Sequence, residues 1–253
     1  YIDEGSLKID RFTIRNADQK VYGEQTMTGV LENSINTGMI HIANLLGTDA
    51  FRDYAQRYGF GEKTGIELDS ELAGDISTLN KKSEIFRATA SFGQGLTTTP
   101  LQMVSAYAAM ANGGKLMKPY IVQEYRHPDG KVERVEPEML RQVISSRTSL
   151  LIGSMLVSVV NNGHAGKAGV EGYYIAGKTG TAQIANPAGG YYQDQTNHSF
   201  VGYGPVDEPK FAMIVKLEKP KNGRFSSSTA ATVFGEVADF ILNYYDIPPD
   251  TMK

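Results

Sequence analysis

The chain has 253 residues, of which 41% are hydrophobic, so it is long enough to bury the core of one large domain. Its 25 Lys and Arg and 28 Asp and Glu give a net charge of -3, so the composition shows no basic excess and favours no nucleic acid partner. The absence of cysteine and the scatter of the four histidines exclude disulfides and a thiol nucleophile, and they predict that the protein uses no metal and no cofactor.

The sequence shows neither a membrane helix nor a signal peptide. Its longest apolar run, from Leu150 to Val160, is shorter than the roughly 18 residues that a bilayer-spanning helix needs. The beginning of the chain lacks the basic start and apolar middle of a signal peptide, and its first residue is not Met. We therefore expect either a processed chain or a piece of a longer protein.

An extended segment followed by helices is predicted for the beginning of the chain. Polar and apolar residues alternate in short steps through residues 1–25, which is typical of extended structure. Apolar residues then recur at helical spacing, but the Ser-Ile-Asn of residues 34–36 interrupts them. Because Ser, Asn and Gly favour caps and turns, we expect two helices that meet at residues 33–38, with polar side chains free to face a cleft.

A further helix and then a long loop are predicted next. The pattern after residue 47 is helical, with Thr48 or Asp49 as the N-cap and Gly59 as the terminator. Residues 59–99 show little regular periodicity, and this predicts that they form mostly loop.

The middle of the chain carries the clearest helix signal. Thr99 can cap a helix, Pro100 suits its first turn, and the Asn-Gly-Gly of residues 112–114 ends it. Residues 123–137 predict a surface hairpin around Pro-Asp-Gly, and residues 146–160 predict another helix.

The last third of the chain changes from helical to strand-like patterns. Three strand-like segments lie at residues 172–185, 198–206 and 210–220, and a helix closes the chain at residues 229–245. Helices followed by consecutive strands indicate an α+β fold in which an antiparallel sheet packs with helices beside a helix-rich lobe. We divide the chain into a mainly helical lobe, residues 26–145, and a part with a helix, three strands and the closing helix, residues 146–253.

The tripeptide Lys-Thr-Gly occurs twice, beginning at Lys63 and at Lys178. Strand formers flank Lys178, and Gly177 and Gly180 leave room for a ligand to approach the backbone. An extended peptide can add to such a strand edge, where the Lys ammonium attracts a carboxylate. Glycines surround Lys63 and predict a loop instead. From the tripeptide alone, the commoner explanation of Lys178 is a solvent-facing lysine that protects an edge strand from aggregation.

A second motif favours the functional explanation. Ser34-Ile35-Asn36, followed 144 residues later by Lys178-Thr179-Gly180-Thr181, resembles two of the three signatures of penicillin-binding proteins and serine β-lactamases. The stretches SFGQGLTTTPLQMVSAYAAMANGG, GKTGTAQ and HSFVGYGP also resemble the class B, monofunctional transpeptidases. The resemblance covers most of the chain and implies the β-lactamase/transpeptidase-like fold, incomplete in this chain. It also implies that Lys178 begins the functional copy of the tripeptide and that Lys63 does not.

The resemblance implies catalytic roles for three residues. Ser34 would relay protons near the nucleophile and the leaving amine, Asn36 would hydrogen-bond the amide of the substrate peptide, and Lys178 would supply positive charge. Taken without the resemblance, Ser34 and Asn36 fit helix caps equally well.

Substrate binding is implied for the rest of the second motif. The hydroxyls of Thr179 and Thr181 would bind the terminal carboxylate of the peptide or of a β-lactam, and the backbone N–H of Thr181 would complete an oxyanion hole. Gly180 would let the ligand approach, although a simple strand glycine is its alternative. His198 is more commonly explained as a polar residue at the start of a strand than as a catalytic base.

The nucleophile motif of the family does not occur in these 253 residues. The family's nucleophile is the serine of a Ser-x-x-Lys that precedes Ser-x-Asn, and the sequence contains no Ser-x-x-Lys. Ser6-Leu7-Lys8 is one residue too short to place the lysine one helical turn from the serine. Because acyl transfer needs an activated nucleophile, we expect this chain alone to be inactive and interpret it as the C-terminal portion of a transpeptidase domain.

The resemblance implies D,D-transpeptidation in peptidoglycan synthesis as the function of the whole protein. Its partners would be the peptidoglycan stem peptide, β-lactams and proteins of the cell-wall synthesis complex, and its place would be the extracytoplasmic face of the bacterial membrane, held by a helix outside this chain. A D,D-carboxypeptidase, a β-lactamase and a non-catalytic binding scaffold are the alternatives. An unrelated Ser-His-Asp hydrolase is disfavoured, because no Gly-x-Ser-x-Gly occurs.

Overall fold

The structure, a computed structural model, describes residues 1–221 and 223–250. Its N-terminal segment is extended, as predicted, and contains four short strands: β1 (Ile2–Asp3), β2 (Ser6–Ile9), β3 (Phe12–Arg15) and β4 (Gly23–Glu24). β1 pairs with β4 and β2 pairs with β3, both antiparallel. These pairs fold the segment back against the helices that follow it.

The first three helices are α1 (Met27–Glu32), α2 (Asn36–Leu46) and α3 (Thr48–Arg57). The predicted break between α1 and α2 is confirmed, and Ser34 lies within it. The predicted N-cap of α3 is wrong, because Gly47 is the N-cap and Thr48 is already the first helical residue. Gly47 adopts φ +81°, which lets one residue end α2 and begin α3 without a separate linker.

The prediction of mostly loop over residues 59–99 missed one helix. Residues Ser77–Asn80 form a 3₁₀ turn, and α4 (Glu84–Ser91) follows it. α4 has only eight residues, so its periodic signal is short, and burial rather than propensity stabilises it. Ala88 packs in a cluster with Ile9 and Ile40, and Ala90 packs with Leu79.

The middle of the chain contains the predicted helices and hairpin, together with two short strands that were not predicted. These elements are α5 (Pro100–Ala111), β5 (Lys115–Met117), β6 (Glu124–Arg126), β7 (Val132–Arg134), β8 (Met139–Gln142) and α6 (Ser146–Asn161). Thr99 caps α5 in a capping box with Gln102, which confirms the predicted start. β6 and β7 form the predicted hairpin, and β5 pairs with β8. Within the described residues, no helix is long and apolar enough to cross a membrane.

A three-stranded antiparallel sheet and a closing helix form the C-terminal part. They consist of β9 (Ala176–Ala185), β10 (Tyr191–Gly204), β11 (Phe211–Glu218) and α7 (Ala230–Tyr244). The strand order is β11-β10-β9, so β9 lies at one edge of the sheet. This confirms the predicted antiparallel sheet and the predicted helix after it.

Helices cover both faces of this sheet. On one face, Tyr203 and Ala176 pack with Leu156 of α6 and with side chains of α5. On the other face, Phe200 meets Phe234 of α7 edge to face, with ring centroids 4.5 Å apart. The sheet is therefore a rigid central layer on which β9 presents its outer edge.

The start of β10 differs from the prediction. The strand begins at Tyr191, seven residues before the predicted start at His198, so His198 lies inside the strand. The register with β9 shifts between Tyr191 and Thr196, where β10 carries an irregular stretch. Polar residues occupy this stretch, and they hid the strand from an argument based on hydrophobic alternation.

Candidate active site

The two motifs meet in space. Nζ of Lys178, on β9, donates a hydrogen bond to Oγ of Ser34, in the turn between α1 and α2, although 144 residues separate them. Nζ also lies 3.2 Å from the carbonyl oxygen of Thr179 and 3.4 Å from its Oγ1. A hydroxyl and an amine in direct contact can share a proton, so this pair can serve proton transfer at the edge of the sheet.

Buried contacts of its neighbours hold Ser34 in place. The side chain of Ile35 is fully buried, and its backbone N–H donates to the carbonyl of Val30 at 3.0 Å. Gly38 lies so close to the side chain of Val30 that an added Cβ would be 2.7 Å away. Ser34 itself adopts φ +52°, which is uncommon for a residue with a side chain. The turn is thus fixed tightly enough to impose a strained backbone on the serine.

Burial changes the proton affinity of Lys178. Desolvation lowers the pKa of its ammonium from 10.5 to about 8, because the charged form loses contact with water. Near neutral pH a large fraction of Lys178 is still charged, and a small rise in pH releases the proton. Lysines with such a lowered pKa can act in proton transfer as well as in anion binding.

Asn36 begins α2, where its side chain is held by the N-terminal segment. Nδ2 of Asn36 donates to the carbonyl oxygen of Arg15 at 3.0 Å. The structure therefore places Asn36 beside β3 as well as beside Ser34, and the sequence contained no signal for this contact.

A buried polar network supports this corner. The carboxylate of Asp3 accepts hydrogen bonds from the Thr37 hydroxyl at 2.5 Å, the Asn16 amide at 2.9 Å and the backbone N–H groups of Tyr22 and Gly5. The Asp3, Asn16 and Thr37 side chains are all nearly inaccessible to water. Desolvation would raise the pKa of Asp3, but these hydrogen bonds hold it below the ordinary value. The network ties β1 and the end of β3 to α2 at Thr37, the residue after Asn36.

Thr181 is held by the segment that leads into α7. Its Oγ1 accepts a hydrogen bond from the backbone N–H of Ser226 at 3.1 Å and lies 2.9 Å from Ser226 Oγ. Ser226 is 1% exposed, whereas Thr181 is exposed at the sheet edge. The sequence analysis did not find Ser226, because it lies 45 residues from its partner in a plain run of serines.

His198 is buried opposite Thr181 in the strand register. Its Nδ1 lies 2.8 Å from Oγ1 of Thr229, and its Nε2 lies 3.1 Å from Oγ1 of Thr196. Both ring nitrogens thus have partners, and burial lowers the pKa of the imidazole below 6.5. These contacts indicate a neutral histidine that holds the start of α7 against the sheet.

The outer edge of β9 is open. Among the residues that the structure describes, β9 pairs only with β10, which leaves the backbone groups of its other edge without a strand partner. Thr179 and Gly180 lie on this edge strand between Lys178 and Thr181. An extended ligand can add to such an edge and direct its terminal group to the hydroxyls and the ammonium.

The second Lys-Thr-Gly lies in a loop, as predicted, and its carboxylate-binding groups are already used. The backbone N–H and hydroxyl of Thr64 donate to one oxygen of Glu71 at 2.7 and 2.6 Å, and the N–H of Gly65 donates to the other at 3.0 Å. Desolvation would raise the pKa of Glu71, but these hydrogen bonds hold it below the ordinary value. An internal carboxylate occupies this copy of the motif.

The site belongs to a fold with known relatives. A family model described as the penicillin binding protein transpeptidase domain matches residues 2–239. Stage V sporulation protein D of Bacillus subtilis is 37% identical over 240 residues, which cover 94% of this chain and 37% of that protein. The peptidoglycan D,D-transpeptidase FtsI of Escherichia coli is 34% identical over 233 residues, which cover 91% of this chain and 38% of FtsI.

Solved structures agree with these matches. The structure superimposes on crystalline penicillin binding protein 3 from Mycobacterium tuberculosis, complexed with aztreonam, with a TM-score of 0.90 at 30% identity, over 98% of this chain and 58% of that chain. The chain spans less than two fifths of the length of the two curated relatives named above. Because the family model covers most of the sequence and the α+β fold agrees with it, this chain belongs to the penicillin-binding protein transpeptidase family.

Proposed function

We propose that the protein containing this chain is a peptidoglycan D,D-transpeptidase that cross-links the bacterial cell wall. The observation that carries the proposal is the contact between Lys178 and Ser34, which joins the two motifs at the open edge of β9. The names of the relatives support it: FtsI is named a peptidoglycan D,D-transpeptidase, and penicillin binding protein 3 is described as complexed with ampicillin.

The proposed reaction has two acyl-transfer steps. A serine supplied by sequence other than these 253 residues attacks the carbonyl carbon of the penultimate D-alanine of a stem peptide. The peptide bond breaks, the terminal D-alanine leaves with the proton on its amine, and a serine ester remains. An amine of a neighbouring stem peptide then attacks the ester, forms the new amide and returns a proton to the serine.

Lys178 and Ser34 would move protons in both steps. With its pKa lowered to about 8, Lys178 exists in both protonation states at working pH, and the Ser34 hydroxyl in contact with it can pass a proton to the leaving amine. Asn36 would hydrogen-bond the amide of the peptide. The contact between Ser34 and Lys178 supports their shared role, and Asn36 would have to release the carbonyl of Arg15 to donate to the peptide.

The remaining motif residues would bind the end of the peptide. An extended stem peptide would lie along β9, with its terminal carboxylate at the hydroxyls of Thr179 and Thr181 and near the Lys178 ammonium. Gly180 lies between these hydroxyls, where an added Cβ would come within 2.6 Å of Oγ of Ser199. The backbone N–H of Thr181 would donate to the oxyanion, and loss of such a donor typically slows acyl transfer by about 100-fold or more.

Covalent labelling by a fluorescent penicillin tests the proposal. We expect the full-length gene product to be labelled and its labelling to be blocked by prior incubation with ampicillin. The 253-residue chain expressed alone should remain unlabelled, because it contains no Ser-x-x-Lys. Labelling absent from the full-length protein would refute the proposed function.

A non-catalytic binding scaffold is the second candidate, and the lack of Ser-x-x-Lys in these residues is what favours it. The full-length sequence distinguishes the two candidates: if it also lacks Ser-x-x-Lys, the protein is a scaffold.

A D,D-carboxypeptidase uses the same acylation with water as the acceptor. Release of D-alanine from a pentapeptide, measured with and without an added amine acceptor, separates hydrolysis from cross-linking.

The setting of the reaction is part of the proposal. Peptidoglycan stem peptides are found outside the cytoplasm, so we place this domain on the extracytoplasmic face of the bacterial membrane. β-Lactams would bind as mimics of the terminal dipeptide, and proteins of cell-wall synthesis would be its neighbours.

A further inference from the structure

The hydrogen-bond polarity at Thr181 leads to an inference about Ser226. A hydroxyl has one hydrogen to donate and two lone pairs that accept. Oγ1 of Thr181 already accepts from the backbone N–H of Ser226, and it also lies 2.9 Å from Ser226 Oγ. Between the two hydroxyls, either oxygen can be the donor, and the choice decides whether Thr181 has a hydrogen left for a ligand.

Burial decides which hydroxyl donates. Ser226 is 1% exposed, and among the described residues its hydroxyl has one hydrogen-bond partner, Oγ1 of Thr181. If Thr181 donated, the buried hydrogen of Ser226 would have no acceptor there, which costs free energy. Thr181 is exposed, so its own hydrogen can go to water or to a ligand. Ser226 is therefore the donor.

We propose that Ser226 is a positioning residue that makes the Thr181 hydroxyl a dedicated hydrogen-bond donor toward the cleft, and so selects ligands that end in a carboxylate. The backbone N–H and the hydroxyl of Ser226 fill both lone pairs of Thr181 Oγ1. The hydroxyl hydrogen of Thr181 is then free to donate a hydrogen bond at the open edge of β9. A carboxylate oxygen accepts such a bond, and its negative charge makes the bond stronger than one to a neutral carbonyl, so the oriented hydroxyl favours the acid. This inference rests on the proposed function.

The surrounding contacts keep Ser226 in this position. The residues Ser226–Ser228 form a 3₁₀ turn directly before α7. His198 contacts Thr229 at 2.8 Å, one residue beyond this turn, and so fixes the turn to β10 while Ser226 contacts β9. These two contacts, Ser226 with Thr181 on β9 and Thr229 with His198 on β10, restrict the orientation of the Ser226 hydroxyl.

The test compares two probes on the full-length protein: ampicillin, which carries a free carboxylate, and ampicillin methyl ester, which does not. The second-order acylation rate is measured for wild type, Ser226→Ala and the neighbouring control Ser227→Ala. We expect Ser226→Ala to lower the rate with ampicillin about fivefold, since one neutral hydrogen bond is lost, and to lower the rate with the ester less, since a neutral carbonyl gains less from the oriented hydroxyl. Ser227→Ala should change neither rate.

A second variant separates positioning from a merely structural role. In a Thr181→Val background, where the hydroxyl to be oriented is gone, Ser226→Ala should no longer change the ratio of the two rates. An equal loss with both probes, or the same change of ratio in the Thr181→Val background, would overturn the inference alone. Failure of ampicillin to acylate the wild type would overturn the proposed function and this inference with it.

Discussion

The proposed roles of Lys178 make two demands on one side chain, which must be charged to attract a carboxylate and able to lose its proton to take part in transfer. Partial burial beside Ser34 meets both, because it lowers the pKa to about 8 without removing the charge at neutral pH. A fully exposed lysine would keep its ordinary pKa and would not exchange its proton at working pH.

The pH dependence of carboxylate recognition follows from this pKa. Above pH 8 the charged fraction of Lys178 falls about tenfold per pH unit, so the rate advantage of ampicillin over its methyl ester should decline above pH 8. The measurement is the ratio of the two acylation rates of the full-length protein between pH 6.5 and 10. With Lys178→Arg, whose guanidinium stays charged, the ratio should be flat. An identical decline in both proteins would contradict the assignment.

The buried imidazole of His198 should make the free energy of unfolding depend on pH. Its pKa is lowered in the folded protein, so the unfolded chain binds a proton first as the pH falls below 6.5. The stability that neutral His198 contributes is complete above pH 6.5 and is lost below it, at up to about 1.4 kcal/mol per pH unit until the folded pKa is reached. Urea unfolding at pH 7.5 and pH 5 should show a smaller difference for His198→Gln than for wild type, and equal differences would refute this.

At the level of elements, the N-terminal strands matter because they hold the start of α2. β1 contributes Asp3, the residue after β3 contributes Asn16, and α2 contributes Thr37 to one buried network. These strands are too short to be stable alone, so the network fixes their position.

Asp3→Asn tests this network with almost no change of shape. The carboxylate accepts four hydrogen bonds, and an amide would turn a donor toward some of the same donors. We expect a loss of about 2 kcal/mol in the free energy of unfolding, measured by urea denaturation of the 253-residue chain. Glu4→Gln is the matched control, because Glu4 is exposed in the next position and the chemical change is the same. A loss of similar size in the control would show that general charge, not the network, is responsible.

On the scale of the whole molecule, the fold distinguishes the two copies of Lys-Thr-Gly. One lies on the edge of the sheet, where Lys178 contacts Ser34. The other lies in a loop, where its Thr64 and Gly65 already donate hydrogen bonds to the carboxylate of Glu71. In the full-length protein, Lys178→Ala should abolish penicillin labelling, whereas Lys63→Ala should leave it within twofold of wild type. Equal losses in the two variants would contradict the assignment of Lys178 as the functional copy.

The sequence predicted the parts of this architecture that local rules determine. α5 was found because Thr99, Pro100 and the closing glycines mark both of its ends, and the strands of the sheet were found from their composition. α4 was missed because it is short and depends on burial of Ala88 and Ala90 by residues distant in the chain. Tertiary packing overrides a weak local signal in such cases.

In the site, too, the residues within sequence motifs were predicted and the residues held only by contacts distant in the chain were not. Ser34 and Lys178 were predicted from motifs, and the structure places them in contact. Asp3 and Ser226 were not predicted, because their partners lie 34 and 45 residues away and no spacing rule connects them. The roles of Asn36, Thr179, Gly180 and Thr181 stay predictions.

The backbone of Ser34 has a consequence for attempts to make this protein more heat-resistant. An L-residue at φ +52° costs about 1 kcal/mol relative to glycine, so Ser34→Gly relieves that cost while it deletes the oxygen that Lys178 contacts. A screen that scores melting temperature alone would therefore favour glycine here and discard the hydroxyl that the proposed chemistry uses. Thermal selection on this fold should hold position 34 constant.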